Sequence, residues 1–355
     1  MITDLRLQHF RSYQDAQFSF SPGVTIIVGP NASGKTNLLE AVLVVARGSS
    51  YRAKDVELLG HDAPWARLDA MTDSSAKRVI KLTAEPSPTK VFEIDDQTVT
   101  RLHQSKTLPV VLFEPNHLLL MSGSPDLRRT FLDDLIEQTE PGFGATRRHY
   151  KRVLYQRNTL LKKNPSDLTQ QLFVWNIRLS ELGGQIAKRR QALVERFNER
   201  LPELYRSLAA RDNTLNISYA SRFNTQTYES QLLHKLESST ELDVLRGFTA
   251  YGPHRDDISV LIDGKPLQET ASRGETRTLV LALKILELQL LEEARGIKPI
   301  LLLDDVFSEL DASRRQALTK YVEPYQTFIT TTDADVINEY FAIRKNSDNS
   351  VISLS

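Results

Sequence analysis

The strongest constraint on this chain is a pair of motifs at its opposite ends. A phosphate-loop pattern, Gly29-Pro30-Asn31-Ala32-Ser33-Gly34-Lys35-Thr36, lies near the start. An apolar run ending in two carboxylates, Leu301-Leu302-Leu303-Asp304-Asp305, lies near the other end. For both to serve one nucleotide, the two ends must fold back together. The residues between are then an insertion carried by an ATPase head, an arrangement suited to an ATP-driven clamp on a large partner.

The context of each motif supports this pairing. Val24–Val28 is a short β-branched run and reads as a buried strand. Thr36–Arg47 reads as a helix through Leu38, Leu39, Val42, Leu43 and Ala46. Strand, loop, helix is the context a phosphate loop requires. Glycines let successive N–H groups curl around phosphates, and the helix N-terminus favours negative charge. Lys35 is assigned to the β- and γ-phosphates of ATP and the Thr36 hydroxyl to Mg²⁺. A lone carboxylate at the end of an apolar strand is costly without a partner, so Asp304 is expected at the metal beside Thr36. Asp305 is expected to polarise the attacking water, with strand alternation sending the two carboxylates different ways. The catalytic candidates are thus Lys35 and Asp305. Without the phosphate loop, the Asp pair reads equally as an ordinary strand end.

Two further segments fall at strand ends, where α/β sheets place ligands: Ser308-Glu309-Leu310-Asp311 and Thr330-Thr331-Thr332-Asp333. Each also reads as loop and cap chemistry. Ser272-Arg273-Gly274-Glu275 opens an amphipathic helix, and its S-x-x-E spacing is a capping box. Its functional reading is that Ser272 and Gly274 face a γ-phosphate. The subunit's own phosphate loop already has a helix, so that nucleotide would belong to a second subunit.

Bulk properties exclude several classes. With 45 Lys+Arg against 45 Asp+Glu the chain is neutral, unlike a protein that coats DNA by charge alone. There is no cysteine, hence no disulfide, thiolate zinc site or cysteine nucleophile, and a reducing cytoplasm is the expected location. The N-terminus lacks an apolar signal core, and no run of about 18 apolar residues predicts a membrane span.

The length of 355 residues suits two domains. The expected fold class is α/β: a P-loop ATPase head with a mixed sheet, residues 1–121 and 247–355, and an inserted, mostly helical arm over 122–246. Strands are expected at 2–9, 77–83, 90–94, Val110–Phe113, Ile258–Ile262 (turned by Asp263-Gly264), Ile300–Leu303 and Phe328–Thr332. Ser124-Pro125 predicts a helix start, with Ser as N-cap and Pro in the first turn. Pro141-Gly142, Asn164-Pro165 and Pro202 predict breaks in the arm, and Gly183-Gly184 weakens its third helix.

Between Gly142 and Lys163 the arm carries Arg147, Arg148, Lys151, Arg152, Arg157, Lys162 and Lys163 and no acidic residue. Arg147/Lys151 and Arg148/Arg152 are i,i+4 pairs, which cost a helix about 0.2–0.5 kcal/mol each. Contact with phosphate would relieve that repulsion, so Arg147, Arg148, Lys151, Arg152 and Arg157 are the candidate DNA ligands. The alternative is a solvated face matched against Glu137, Glu140 or Asp167.

These motifs together resemble the RecF family of recombination and gap-repair ATPases, related to the ABC-type heads of chromosome-maintenance proteins. The resemblance runs from Leu7–Tyr13 through Gly29–Glu40, Ser124–Asp133, Tyr251-Gly252-Pro253-His254-Arg255-Asp256-Asp257 and Ser272–Glu287 to Leu301–Asp311. It implies an ABC-type head and an ATP-dependent homodimer in which Gly29–Thr36 of one subunit faces Ser272–Glu275 of the other. It assigns Asp304 to Mg²⁺, Asp305 to catalysis and Arg11 to a nucleotide contact. It implies binding to gapped or junction DNA, RecR- and RecO-like mediators, and help in recombinase loading. Three positions depart from the pattern. Glu275 replaces the usual Gln and is expected to turn back into the capping box. Asp305 stands where transporter heads carry Glu, a shorter reach that implies slow hydrolysis. The Thr330–Asp333 switch has no histidine. Glu114 or Asn116 occupies the place of the glutamine loop.

Other readings fit less well. A structural chromosome-clamp head, the alternative, needs a far longer heptad arm. A zinc-hooked repair ATPase needs C-x-x-C. An ATPase–nuclease of the overcoming-lysogenisation type needs a domain after the head, and about 45 residues after Asp311 are too few. A transporter ATPase needs the switch histidine and the glutamine loop.

Overall fold

The structure, a computed structural model, describes residues 1–209, 213–332 and 349–355. They divide into two compact units, Met1–Leu118 with Glu287–Ser355, and Leu119–Leu286.

In chain order the first unit contains β1 (Ile2–Phe10), β2 (Tyr13–Ser19), β3 (Val24–Val28), α1 (Lys35–Arg47), β4 (Trp65–Thr72), β5 (Lys77–Thr83), β6 (Thr89–Ile94), β7 (Gln97–Val99) and β8 (Val110–Phe113). After the second unit come β12 (Ile300–Asp304), α9 (Val306–Glu309), α10 (Ala312–Val322), β13 (Thr327–Thr331) and β14 (Ser350–Ser353). One sheet is antiparallel, in the order β2-β1-β4-β5-β6-β7; the other is parallel, in the order β14-β3-β13-β12-β8. β12 and β13 are buried at every position, which is why they read as continuous apolar or threonine-rich runs rather than alternating ones. α1 packs on strands of both sheets. It is therefore buried at every residue from Leu38 to Ala46, beyond the single stripe of a surface helix. That leaves Glu40 as a charge inside the core.

The second unit contains α2 (Pro125–Thr139), α3 (Phe143–Lys163), α4 (Leu168–Ala209), β9 (Leu215–Ala220), α5 (Tyr228–Ser238), α6 (Thr240–Arg246), β10 (Asp257–Ile262), β11 (Lys265–Pro266) and α7 (Leu267–Thr270). Helix α8 (Arg273–Arg295) carries the chain from this unit back into the first. Ser124 and Pro125 open α2 as expected. The breaks at Pro141-Gly142 and Asn164-Pro165 separate α2, α3 and α4. Pro202 makes no break: α4 runs 42 residues through it. Burial of Leu201 and Tyr205 on either side outweighs a proline cost of about 3 kcal/mol. Gly183 marks a close approach, since a Cβ there would lie 2.9 Å from Leu232 of α5.

The domain boundary also differs from expectation. Residues 247–286 group with the arm, not the head, because β10 pairs along its whole length with β9. The arm is therefore helical plus a three-stranded sheet, β11-β10-β9. β9 carried a legible signal, with Leu215 and Ile217 buried and Asn216 and Ser218 exposed. Asp263 and Gly264 both take positive φ, 50° and 75°, as a two-residue hairpin turn requires. Among the described residues no helix is long and apolar enough to cross a membrane.

Candidate nucleotide site

Strand β3 delivers the chain to the loop at Gly29–Gly34, and α1 begins at Lys35. The loop needs its glycines for two different reasons. A Cβ on Gly29 would lie 2.5 Å from Ser33 Oγ and 2.6 Å from the Leu354 carbonyl. Gly34 takes φ +98°, and a Cβ there would lie 2.9 Å from the Tyr13 hydroxyl. Ala32 also takes a positive φ, 68°. Lys35 Nζ donates to the carbonyls of Gly29 (2.7 Å) and Pro30 (2.8 Å), so its charge is held against the loop. Ser33 Oγ is buried without a protein partner, a polar atom in a loop built to surround polar groups.

The parallel register brings the distant carboxylates to this loop. β13 lies between β3 and β12, pairing Thr331 with Val28 and Thr330 with Asp304. Thr36 Oγ1 then donates to Asp304 Oδ1 at 3.0 Å, across 268 positions of sequence. Thr330 Oγ1 donates to the same oxygen at 2.7 Å and accepts from the Asp305 amide at 2.9 Å. Asp304 is buried; these hydroxyls are what make a carboxylate tolerable there.

Asp305 departs from the expected geometry. Strand alternation ends at Asp304. Asp305 takes φ 53° and caps α9, so that turn sets its direction, not the pleat. Ser308 Oγ donates to its carbonyl (2.6 Å) and to its Oδ1 (3.3 Å). Burial, followed by the charge of Asp304, pushes the Asp305 carboxyl above the usual range against the Ser308 bond. Glu114 follows the end of β8, the strand beside β12, so it stands at the same sheet edge. Thr330 and Thr331 lie in β13; Asp333 lies outside the described residues.

Arg11 belongs to a cluster that sequence reasoning did not find. Its Nε and Nη2 donate to Glu40 (2.8 and 3.0 Å) and its Nη1 to the Glu57 carbonyl (2.7 Å). Glu40 also accepts from Ser50 (2.6 Å) and Arg52 (3.0 Å), and Arg52 reaches Asn37 at 3.0 Å. Burial pushes the Glu40 carboxyl up, but the bonds from Arg11, Arg52 and Ser50 outweigh it and hold it below the usual range. A glutamate in the middle of an otherwise apolar helix was the available signal.

In the second unit, Ser272 and Glu275 form the expected reciprocal cap. The Ser272 amide donates to Glu275 Oε2 (2.8 Å) and the Glu275 amide to Ser272 Oγ (3.2 Å). Ser272 is exposed and Gly274 lies in the first turn of α8.

The basic run on α3 separates into parts. Arg157 is no DNA ligand: it is fully buried and paired with buried Asp243 at 2.8 Å. It also donates to Asn176, Thr249 and the Leu236 carbonyl. Its position faces the arm interior, where three acceptors and a carboxylate meet it. Arg147 pairs with Asp134 at 3.0 Å and Glu137 at 3.6 Å, and Arg148 with Glu137 at 3.7 Å. Lys151 and Arg152 are exposed.

Comparison with known proteins agrees with this geometry. Residues 1–348 match the model of the RecF/RecN/SMC N-terminal domain. The DNA replication and repair protein RecF of Acaryochloris marina is 36% identical, covering 93% of this chain and 92% of its own. That of Heliobacterium modesticaldum is 34% identical, covering 93% and 92%. Among solved structures, the recombination mediator protein RecF-ATPrS in the RecFOR pathway superposes with a TM-score of 0.86 at 28% identity, covering 100% of this chain and 96% of that one. An Smc head bound to the C-winged-helix domain of ScpA shares the fold alone, with a TM-score of 0.53 at 17% identity over 100% of this chain and 94% of that one. The chain thus has the ABC-type ATPase head fold, and it belongs to the RecF/RecN/SMC family and, within that family, to the RecF DNA replication and repair proteins.

Proposed function

We propose that the protein is an ATP-dependent DNA-binding protein of recombinational repair. ATP and Mg²⁺ bind at the loop, two subunits close around two nucleotides, and the dimer holds DNA at gaps or single-/double-strand junctions. It works with RecR- and RecO-like mediators to help load recombinase, in the cytoplasm where that DNA lies. The observation that carries this reading is the Thr36–Asp304 hydrogen bond, which unites the two motifs in one site. The family supports the rest: similar proteins are named for DNA replication and repair, and a solved relative carries ATP. A chromosome-clamp head has less support, since its likeness is one of fold and the longest described helix here has 42 residues.

The site suits the chemistry. Thr36 and Asp304 offer two hard oxygen donors, a set that fits Mg²⁺ with water and phosphate completing its shell. When bound, the ion offsets charge on the phosphates. Loop amides cradle the phosphates, and Lys35 exchanges the Gly29 and Pro30 carbonyls for phosphate oxygens. Asp305 orients the attacking water and accepts its proton. Its short reach favours slow hydrolysis. Ser272 and Gly274 of one subunit complete the partner's nucleotide. Lys151, Arg152 and Arg148 form the DNA-facing part of α3.

Sedimentation velocity with gapped DNA tests the whole. ATP should give a dimer on DNA, while ADP and Lys35→Met should not. A nucleotide-independent dimer, or no DNA complex with ATP, would sink the proposal.

A further inference from the structure

The second unit holds a cavity of about 310 Å³, lined by residues of 220–223 and 250–256. It is separate from the nucleotide loop and from the basic face of α3. Two cations, Arg222 and Arg255, line it, and a third, Lys235, lies beside one of its rings. Arg222 and Lys235 lie over the Tyr251 ring, 5.3 and 4.9 Å from its centre, and Arg255 lies 4.9 Å over Phe248. Arg222 and Arg255 are exposed. Neither they nor Lys235 has a carboxylate partner among the described salt bridges. In a chain of zero net charge, unpaired cations held on aromatic faces need an explanation.

The loop beneath them is held by buried polar bonds. Tyr150 Oη meets His254 Nδ1 at 2.6 Å, and His254 Nε2 meets the Thr249 carbonyl at 3.1 Å. Arg190 donates to the Pro253 carbonyl at 2.6 Å. Gly252 takes φ +130°, and a Cβ on it would lie 2.6 Å from the Tyr150 hydroxyl. The one carboxylate at the cavity, Asp256, is buried and accepts from Tyr219 and Tyr228 at 2.7 Å each. The floor is therefore fixed, its anion is engaged from within, and the groups left to meet a ligand are cations and rings. Fixed groups of this kind bind without first losing rotamer freedom.

We propose that this cavity binds one nucleoside-phosphate unit of a single DNA strand, the phosphate at Arg222 and Arg255 and the base against Phe223. Cations beside rings match the alternation of phosphate and base along a single strand. The volume is at the lower end of the range for small-ligand sites, about 300–1,000 Å³, which suits one nucleotide and exceeds the need of a lone anion. The inference rests on the DNA-binding reading above and adds a single-strand site distinct from α3.

The test is Arg222→Glu/Arg255→Glu, two exposed changes, with thermal melting as the check on folding. Anisotropy titrations would use a fluorescent 15-mer oligothymidylate, a duplex of equal length and, as competitor, thymidine monophosphate. The variant should bind the single strand at least tenfold more weakly. Its log K against log salt slope should fall by about 0.7, the value for the one single-strand phosphate that is no longer neutralised. Duplex affinity should change less than twofold. Wild-type affinity for the 15-mer in a folded variant would overturn the proposal and leave the DNA-binding reading standing. Failure of the wild type to bind either DNA would sink both. A monophosphate that competes as tightly as the 15-mer would make this a free-nucleotide pocket and overturn the strand assignment. So would loss of binding to an oligoglutamate peptide with DNA unaffected, which would make it a peptide site.

Discussion

Arg157 offers the sharpest test of what the structure adds, because its two readings predict opposite results. As a DNA ligand, its loss would weaken DNA binding and leave folding alone. In the structure its guanidinium is fully buried against Asp243, itself fully buried. Arg157→Ala strands that carboxylate and removes the donors of Asn176, Thr249 and the Leu236 carbonyl. Breaking a buried pair from one side costs about 3–5 kcal/mol. At about 4 kcal/mol the folding equilibrium of the second unit falls by roughly three decades, with about 1.4 kcal/mol per decade. With a urea m-value of about 2 kcal/mol/M, the midpoint drops by about 2 M. Trp175 is adjacent to Asn176 and is one of only two tryptophans, so its fluorescence in a Trp65→Phe background follows this unit. Arg157→Met/Asp243→Leu should recover part of the loss, since an apolar replacement of both partners is often near neutral. An unchanged midpoint in Arg157→Ala, combined with weakened DNA binding, would refute the argument and return Arg157 to the DNA face.

Four further outcomes are expected. Asp305→Asn should bind ATP but hydrolyse it about 10²–10⁴-fold more slowly; a wild-type single-turnover rate would reduce Asp305 to a helix cap. Ser272→Arg should bind ATP without dimerising, while Ser272→Ala, which loses only a cap of about 1 kcal/mol, should still dimerise; equal light scattering from both would remove Ser272 from the partner's site. Lys151→Ala/Arg152→Ala should lower the duplex salt slope by about 1.8, at about 0.9 per duplex phosphate, and an unchanged slope would move the duplex site off α3. Burial, aided by the charges of Arg255 and Arg129 against the Thr249 bond, lowers the His254 pKa from 6.5 to about 4. The unfolded state then binds the proton more tightly, so stability is full above pH 6.5 and falls as the pH drops toward 4, by up to about 3 kcal/mol. Urea midpoints at pH 7.5 and 5.0 would check this, and an equal decline in His254→Asn would assign it elsewhere.

Much of the head was legible because its signals are local. The Val24–Val28 strand, the glycine loop and the Ile300–Asp304 strand each carry their own pattern, and their chemistry required them to meet. The Ser272–Glu275 cap was legible for the same reason. What was hidden depended on facing rather than on residue type. Arg157 and Lys151 look alike in a basic run, and only the helix face, inward or outward, tells them apart. Asp305 was placed by strand alternation, but the strand had already ended and a left-handed turn took over. Glu40 was passed over because α1 was read only through its apolar residues, and its full burial makes its single buried carboxylate a junction for Arg11, Arg52 and Ser50. β9 was lost inside a helical expectation, although its own alternation argued otherwise.

The placement of β3 also bears on how the chain is made. Its two neighbours in the sheet are β13 and β14, both formed by the last part of the sequence. During synthesis β3, with its buried run Val24-Thr25-Ile26-Ile27, emerges early with both edges open. Thr36 waits for Asp304, 268 residues later, an interval of roughly 15–50 s at about 5–20 residues per second. For that time the nascent head presents an apolar strand with unpaired edges, the kind of segment that pairs wrongly with other chains. The arm, whose sheet strands and helices all lie between these ends, can fold first. Expression of this protein should therefore depend on chaperones that shield the first thirty or so residues, and ribosome-bound chains halted before β13 should bind no nucleotide.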